Sequence, residues 1–132
     1  MVGTDINPRG FGTKANILDI QKPLGDGVIT NPPFSKAEEI IRHVMGVLKP
    51  EYFALLLKST FWHADERTAL FNTYRPTMIA GLPWRPDFNG LGRPTMECSW
   101  VVWDQRHPTY NRFPEYHLLP NLNPRKRNSK PR

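Results

Sequence analysis

Short apolar, β-branched runs alternate with segments of helical periodicity along this chain. The pattern predicts strands at Val2–Ile6, Asn16–Ile20, Gly27–Thr30, Tyr52–Lys58, Thr77–Leu82 and Glu97–Asp104. Between the third and fourth of these, Ala37, Ile40, Ile41, Val44 and Leu48 recur at the i, i+3, i+4 spacing of a core-facing stripe. That stripe predicts a helix over Ser35–Leu48. Ser35 and Glu38 have the spacing of a capping box at its start, and Pro50 stops it. A second, less regular helix is expected over Ala64–Tyr74. Strands alternating with helices predict an α/β domain built on a mostly parallel sheet. On the last predicted strand, Trp100 and Trp103 fall on opposite faces, one buried and one partly exposed, and Cys98 reads as a packed core residue.

At 132 residues, with 39% hydrophobic and 23% charged positions, the chain has the size and composition of one globular domain. The longest apolar stretch, around Phe53–Leu57, falls far short of the roughly 20 residues needed to cross a bilayer. No secretory signal is visible, and a single cysteine excludes an internal disulfide framework, so a reducing, intracellular (cytoplasmic) setting is expected. His43, His63, His107 and His117 lack paired ligand spacing, so no metal site is expected.

The net charge of +6 changes meaning once it is located. Arg125, Lys126, Arg127, Lys130 and Arg132 crowd the last residues with no acid among them; without these five the balance is +1. The pattern is a near-neutral domain, taken as 1–108, followed by a C-terminal extension, 109–132, ending in a basic, mobile tail. Such a tail either contacts phosphates, gaining affinity by counterion release, or serves only to solubilise the terminus. A second feature points toward nucleic acid. The proline- and glycine-rich stretch Pro83–Pro94 carries Trp84, Arg85, Phe88 and Arg93, side chains suited to stacking on bases or clamping a backbone, although Phe88 and Trp84 also suit folding back on the sheet.

The most specific string is Asn31-Pro32-Pro33-Phe34, which follows the predicted strand Gly27–Thr30 and opens the predicted helix. Open α/β sheets bind ligands at such carboxyl ends of strands. Two prolines fix the backbone and offer carbonyls without N–H groups, Asn31 adds a side-chain acceptor, and Phe34 a flat face. The string resembles the catalytic motif of S-adenosylmethionine-dependent amino-methyltransferases, above all the DNA adenine-N6 methyltransferases. The resemblance spans about Val2–Asp104. It implies a Rossmann-like methyltransferase fold and a DNA partner whose adenine is methylated. It also implies that Asn31 and the carbonyl of Pro32 accept hydrogen bonds from the target amino group, within a catalytic set of Asn31, Pro32, Pro33 and Phe34. Two acceptors would draw a poorly nucleophilic exocyclic amine toward tetrahedral geometry and stabilise its developing positive charge. Phe34 would stack on an extruded base. By the same resemblance Asp5 and Ile6 would hold the ribose and adenine of S-adenosylmethionine, and Asp19 and Ile20 its adenine amino group and ring. Nucleic acid would meet Arg85, Arg93, Arg125, Lys126 and Arg127.

The chain departs from that family in one respect. It starts at what matches the family's second strand, so the usual first strand and glycine-rich turn, which hold the methionine end of the cofactor, have no counterpart. Gly10 and Gly12 follow Asp5 rather than precede it. In the family's sheet the first strand lies between the second and the fourth. Without it, self-association or a partner chain supplies the strand, or the sub-sheets close up, or the protein is an inactive, nucleic-acid-binding relative. RNA and protein glutamine remain open as alternative acceptors.

Overall fold

The structure, a computed structural model, describes residues 4–5, 13–14, 17–21, 25–86 and 96–121. Within them β1 (Thr4–Asp5) and β2 (Thr13–Lys14) form a separate parallel pair, Thr4 opposite Thr13. The main body is a five-stranded sheet in the order β3-β4-β6-β5-β7, formed by β3 (Gly27–Thr30), β4 (Tyr52–Lys58), β5 (Met78–Gly81), β6 (Cys98–Asp104) and β7 (Glu115–Leu118). Two short helices, α1 (Ala37–His43) and α2 (Thr68–Thr73), complete a small α/β fold. No helix among the described residues is long and apolar enough to cross a membrane.

The expectation of a mostly parallel sheet is corrected: the sheet is mixed. β3 pairs parallel with β4 and β5 with β7, but β6 runs antiparallel to both neighbours, β4 and β5. The sequence misleads here for a physical reason. Cys98–Asp104 is an almost unbroken apolar run, as parallel strands usually are, but the run reflects its central place between two strands rather than its direction. Its neighbour β4 is also central, with Phe53 through Leu57 buried on both faces.

Strand direction decides which strand ends share an edge. Since β6 alone is reversed, the carboxyl ends of β3, β4, β5 and β7 all lie along one edge of the sheet, with the start of β6. One face of the sheet, through Phe53, Leu55 and Leu57 of β4 and Val101 and Trp103 of β6, packs on Ala37, Ile40, Ile41, Val44 and Leu48 and on Phe61 and Leu70. Burying each large side chain contributes about 1.5–3 kcal/mol. Thus the helical stripe read from the sequence is the helix's core face.

The helix is wound less uniformly than predicted. A 3₁₀ turn spans Phe34–Lys36, α1 follows, and a wider turn over Val44–Leu48 closes with Lys49 N–H donating to the Val44 carbonyl at 2.7 Å. Lys49 then takes a left-handed conformation (φ 48°) and Pro50 ends the segment. The expected capping box does not form. Lys36 N–H bonds the Pro33 carbonyl at 2.9 Å, so Ser35 sits inside a turn rather than ahead of the helix, and the Glu38 carboxylate pairs with Arg42 Nε at 3.2 Å.

Two further corrections concern strands. The pattern predicts a strand over Asn16–Ile20, yet Ile17–Asp19 form a 3₁₀ turn, whose Ile17 and Leu18 pack, with Ile20, against the core. Three large aliphatics in five residues serve a capping turn as well as a strand. Conversely β7 is absent from the predicted strands although Tyr116 and Leu118 alternate with Glu115 and His117; these two apolar side chains stay exposed, and its place in the sheet comes from backbone pairing to β5, with Met78 opposite Glu115 and Gly81 opposite Leu118.

Candidate active site

Asn31-Pro32-Pro33-Phe34 leaves the carboxyl end of β3 and turns directly into the helix. Asn31 and Pro33 are exposed, Pro32 is buried, and Phe34 is half-buried. The motif's carbonyls have different fates. That of Pro33 is consumed by Lys36 N–H, which closes the 3₁₀ turn. The carbonyl of Pro32 and the carboxamide of Asn31 accept nothing from the described residues. Neither proline donates an N–H, so the turn presents acceptors without competing donors.

The segment after β4 emerges at the same edge. Ser59 N–H bonds the Glu97 carbonyl at 2.8 Å, and the Ser59 and Ser99 hydroxyls meet at 3.0 Å. Phe61 is buried, with Trp62 edge-on to it at 4.8 Å and the Arg67 guanidinium 4.0 Å above its ring. Arg67 also donates through one terminal nitrogen to the Phe61 carbonyl at 2.7 Å. Trp62 Nε1 and Arg67 Nε are buried donors that find no acceptor among the described residues. Sequence reasoning singled out none of these side chains; the cue available to it was Phe61-Trp62-His63 following directly on an apolar strand.

Arg85 follows β5 and so lies along this edge as well. Its guanidinium pairs with Glu97 at 3.2 Å, both side chains more than half exposed. An exposed pair of this kind contributes little. Three strand spacings separate β5 from β3, roughly 14 Å. Arg85 therefore cannot share a base with Asn31, but a nucleic-acid backbone spans that distance.

The expected cofactor residues are not gathered in the same way. Asp19 is exposed on the Ile17–Asp19 turn. That turn is tied to α1 by His43 Nε2, which donates to the Ile20 carbonyl at 2.6 Å. His43 stands nine residues beyond Phe34, roughly 13 Å along the helix. Asp19 and Ile20 are thus set down the helix from Asn31, not beside it, which does not fit a cofactor lying across the carboxyl end of β3. Asp5 lies in β1, paired to β2 and not to the main sheet. Ile6, Arg93, Arg125, Lys126 and Arg127 lie outside the described residues. Among the described residues, the motif and Arg85 share an edge, while Asp19 and Ile20 lie toward the far end of α1.

Among the remaining candidates, Cys98 is buried, and burial raises its thiol pKa, as suits a packing residue rather than a nucleophile. Trp103 is buried and Trp100 half-buried on the opposite face, as the alternation predicts. No protein-family model matches the chain, and no curated protein matches it.

Proposed function

We propose that this chain carries the acceptor half of an S-adenosylmethionine-dependent methyltransferase acting on the N6 amino group of adenine in DNA, within a Rossmann-like methyltransferase fold. The observation that carries this reading is the state of the motif: among the described residues, Asn31 and the Pro32 carbonyl stand uncommitted at the end of β3, while the next carbonyl, that of Pro33, is spent on the helix turn.

That arrangement suits an amine that is a weak nucleophile. Its lone pair is delocalised into the base, and two acceptors on one side withdraw both amino hydrogens from the ring plane. The nitrogen becomes pyramidal and its developing positive charge is stabilised where it forms. S-adenosylmethionine supplies an electrophilic methyl group when bound. Phe34, half-buried beside the acceptors, offers the face on which an extruded base rests. Arg85, along the same edge, engages the phosphate backbone.

A second reading concerns the donor side: another chain completes it along β3. Ile29 favours this version, since it is 60% exposed on a strand that has β4 on one side only among the described residues. Calorimetric titration with S-adenosylmethionine and a methyl-transfer assay on adenine-containing DNA test both versions. The proposal expects methylated N6-adenine from the intact chain, alone or with its completing partner, and near-complete loss in Asn31→Ala. Activity retained in Asn31→Ala refutes the acceptor role.

A further inference from the structure

We propose that the outer edge of β7 is a self-association surface, on which a second copy of this chain adds its own β7 antiparallel to extend the sheet across a two-fold axis. The inference rests on the sheet edge alone and is independent of the methyl-transfer reading.

Among the described residues β7 is the last strand of the sheet, and the backbone bonding fixes which of its groups point away from β5. Glu115 N–H donates to the Thr77 carbonyl at 3.0 Å and Leu119 N–H to the Gly81 carbonyl at 2.9 Å. Alternation then turns the N–H and C=O groups of Tyr116 and Leu118 outward. Their side chains are also among the most exposed apolar groups of the described residues: Tyr116 is 68% and Leu118 66% exposed, with Phe113 close by in sequence at 63%. An edge with outward backbone groups and apolar side chains is a template for another strand.

The choice of a second copy follows from complementarity along the strand. In an antiparallel pairing centred on Tyr116, Tyr116 meets the partner's Tyr116 and exchanges both backbone bonds with it. Leu118 N–H reaches the carbonyl of the partner's Pro114. On the other face, Glu115 falls opposite the partner's His117, and His117 opposite the partner's Glu115. An imidazole donates to a carboxylate in either protonation state. Glu115 already lies 3.5 Å from His117 and 3.3 Å from His107 of its own chain, so the carboxylate is held at this spot before the partner arrives. The neighbouring register, centred on His117, sets two imidazoles against each other and Glu115 against Leu119; it is disfavoured. Pro114 and Pro120 bound the strand and limit the pairing to this short stretch.

So small a contact makes a weak dimer, and mass is measured by sedimentation equilibrium over a series reaching about 0.5 mM. The expected wild-type result is a concentration-dependent rise from 15.3 kDa toward twice that value. His117→Glu places two carboxylates opposite one another twice across the axis, and Glu115→Lys removes both carboxylates that accept from the imidazoles; each raises the dissociation constant about tenfold. The double variant Glu115→Lys/His117→Glu restores the opposite charges and returns the constant to near the wild-type value. Tyr116→Lys, at an exposed position, sets two ammonium groups face to face and leaves a folded monomer by circular dichroism. A wild-type chain that stays at one-chain mass throughout overturns the proposal. So does a double variant as monomeric as the single ones, or a dimer indifferent to all four changes.

Discussion

The indole of Trp103 lies stacked on the ring of Phe53, with centroids 5.0 Å apart and planes 19° from parallel, and its Nε1 donates to the Tyr74 carbonyl at 2.9 Å. One side chain thereby joins two antiparallel central strands to the end of α2. Phe53 and Trp103 are register partners on β4 and β6, so the stack is a cross-strand pair in the core. Trp103→Ala should cost about 3–5 kcal/mol of stability. Trp103→Phe keeps a ring on Phe53 but leaves the Tyr74 carbonyl unpaired, and should cost about 2–3 kcal/mol. Urea midpoints with an unchanged denaturant slope measure both; a phenylalanine variant as stable as the wild-type chain would show that the hydrogen bond adds nothing.

A second buried anchor is Thr77, fully enclosed just before β5. Its Oγ1 accepts the Asp104 N–H at 2.9 Å, and its own N–H donates to the Val102 carbonyl at 2.7 Å, closing the β5–β6 ladder. Thr77→Val preserves shape but strands the Asp104 donor, at an expected cost of about 1–3 kcal/mol. Thr77→Ser keeps the acceptor and loses only a methyl, about 1 kcal/mol. Thermal or urea unfolding that ranks valine as the milder change refutes the role of the hydroxyl.

These anchors show why some of this architecture is legible in the sequence and some is not. Tyr52–Lys58 is read with its bounds intact because burial on both faces imposes an apolar run on it, and Gly27–Thr30 because its β-branched residues stand between a glycine and the prolines that follow. Thr77 is the opposite case: nothing in its identity says that its hydroxyl holds a backbone amide 27 residues away. The direction of β6 is hidden because a central strand is apolar whichever way it runs. β7 is hidden because an edge strand is held by backbone bonds, which every residue but proline makes. At the site, Asn31–Phe34 is legible through its rare composition and its place after a strand. That Asp19 sits down the helix from Asn31 is a matter of tertiary packing through His43 and Ile20, which no local spacing encodes.

The Cys98 thiol provides a pH-dependent readout of the same core. Burial raises its pKa above the ordinary 9.0, because the thiolate is poorly solvated there. Below pH 9 the thiol is protonated in both folded and unfolded chains and contributes no slope. Above it the unfolded chain releases its proton first, so the folded state loses relative stability as pH rises. The stability difference between the wild-type chain and Cys98→Ala should therefore shift in favour of alanine from about pH 9 upward. Urea titrations of both proteins at pH 7 and pH 10 measure the shift; a difference that stays constant removes the buried-thiol account. At pH 8 a thiol reagent should label the native chain far more slowly than the unfolded one.

Phe34 tests the proposed site at the point where base and protein would touch. Its ring is half-buried at the entry of the helix, one residue after the prolines that fix Asn31. Base–aromatic stacking is worth about 1–3 kcal/mol, so Phe34→Ala should raise KM for DNA by roughly ten- to hundredfold. Affinity for S-adenosylmethionine should be unchanged, because in the proposed site the acceptor base, not the donor, would rest on this ring. Removing a half-buried ring also costs stability, which by itself would lower active enzyme without altering KM. Phe34→Tyr separates the two effects: it keeps the stacking face and should restore KM to within a few fold of the wild-type value, as initial rates over a DNA concentration series report. A tyrosine variant as defective in KM as the alanine one would mean that the base does not stack on Phe34.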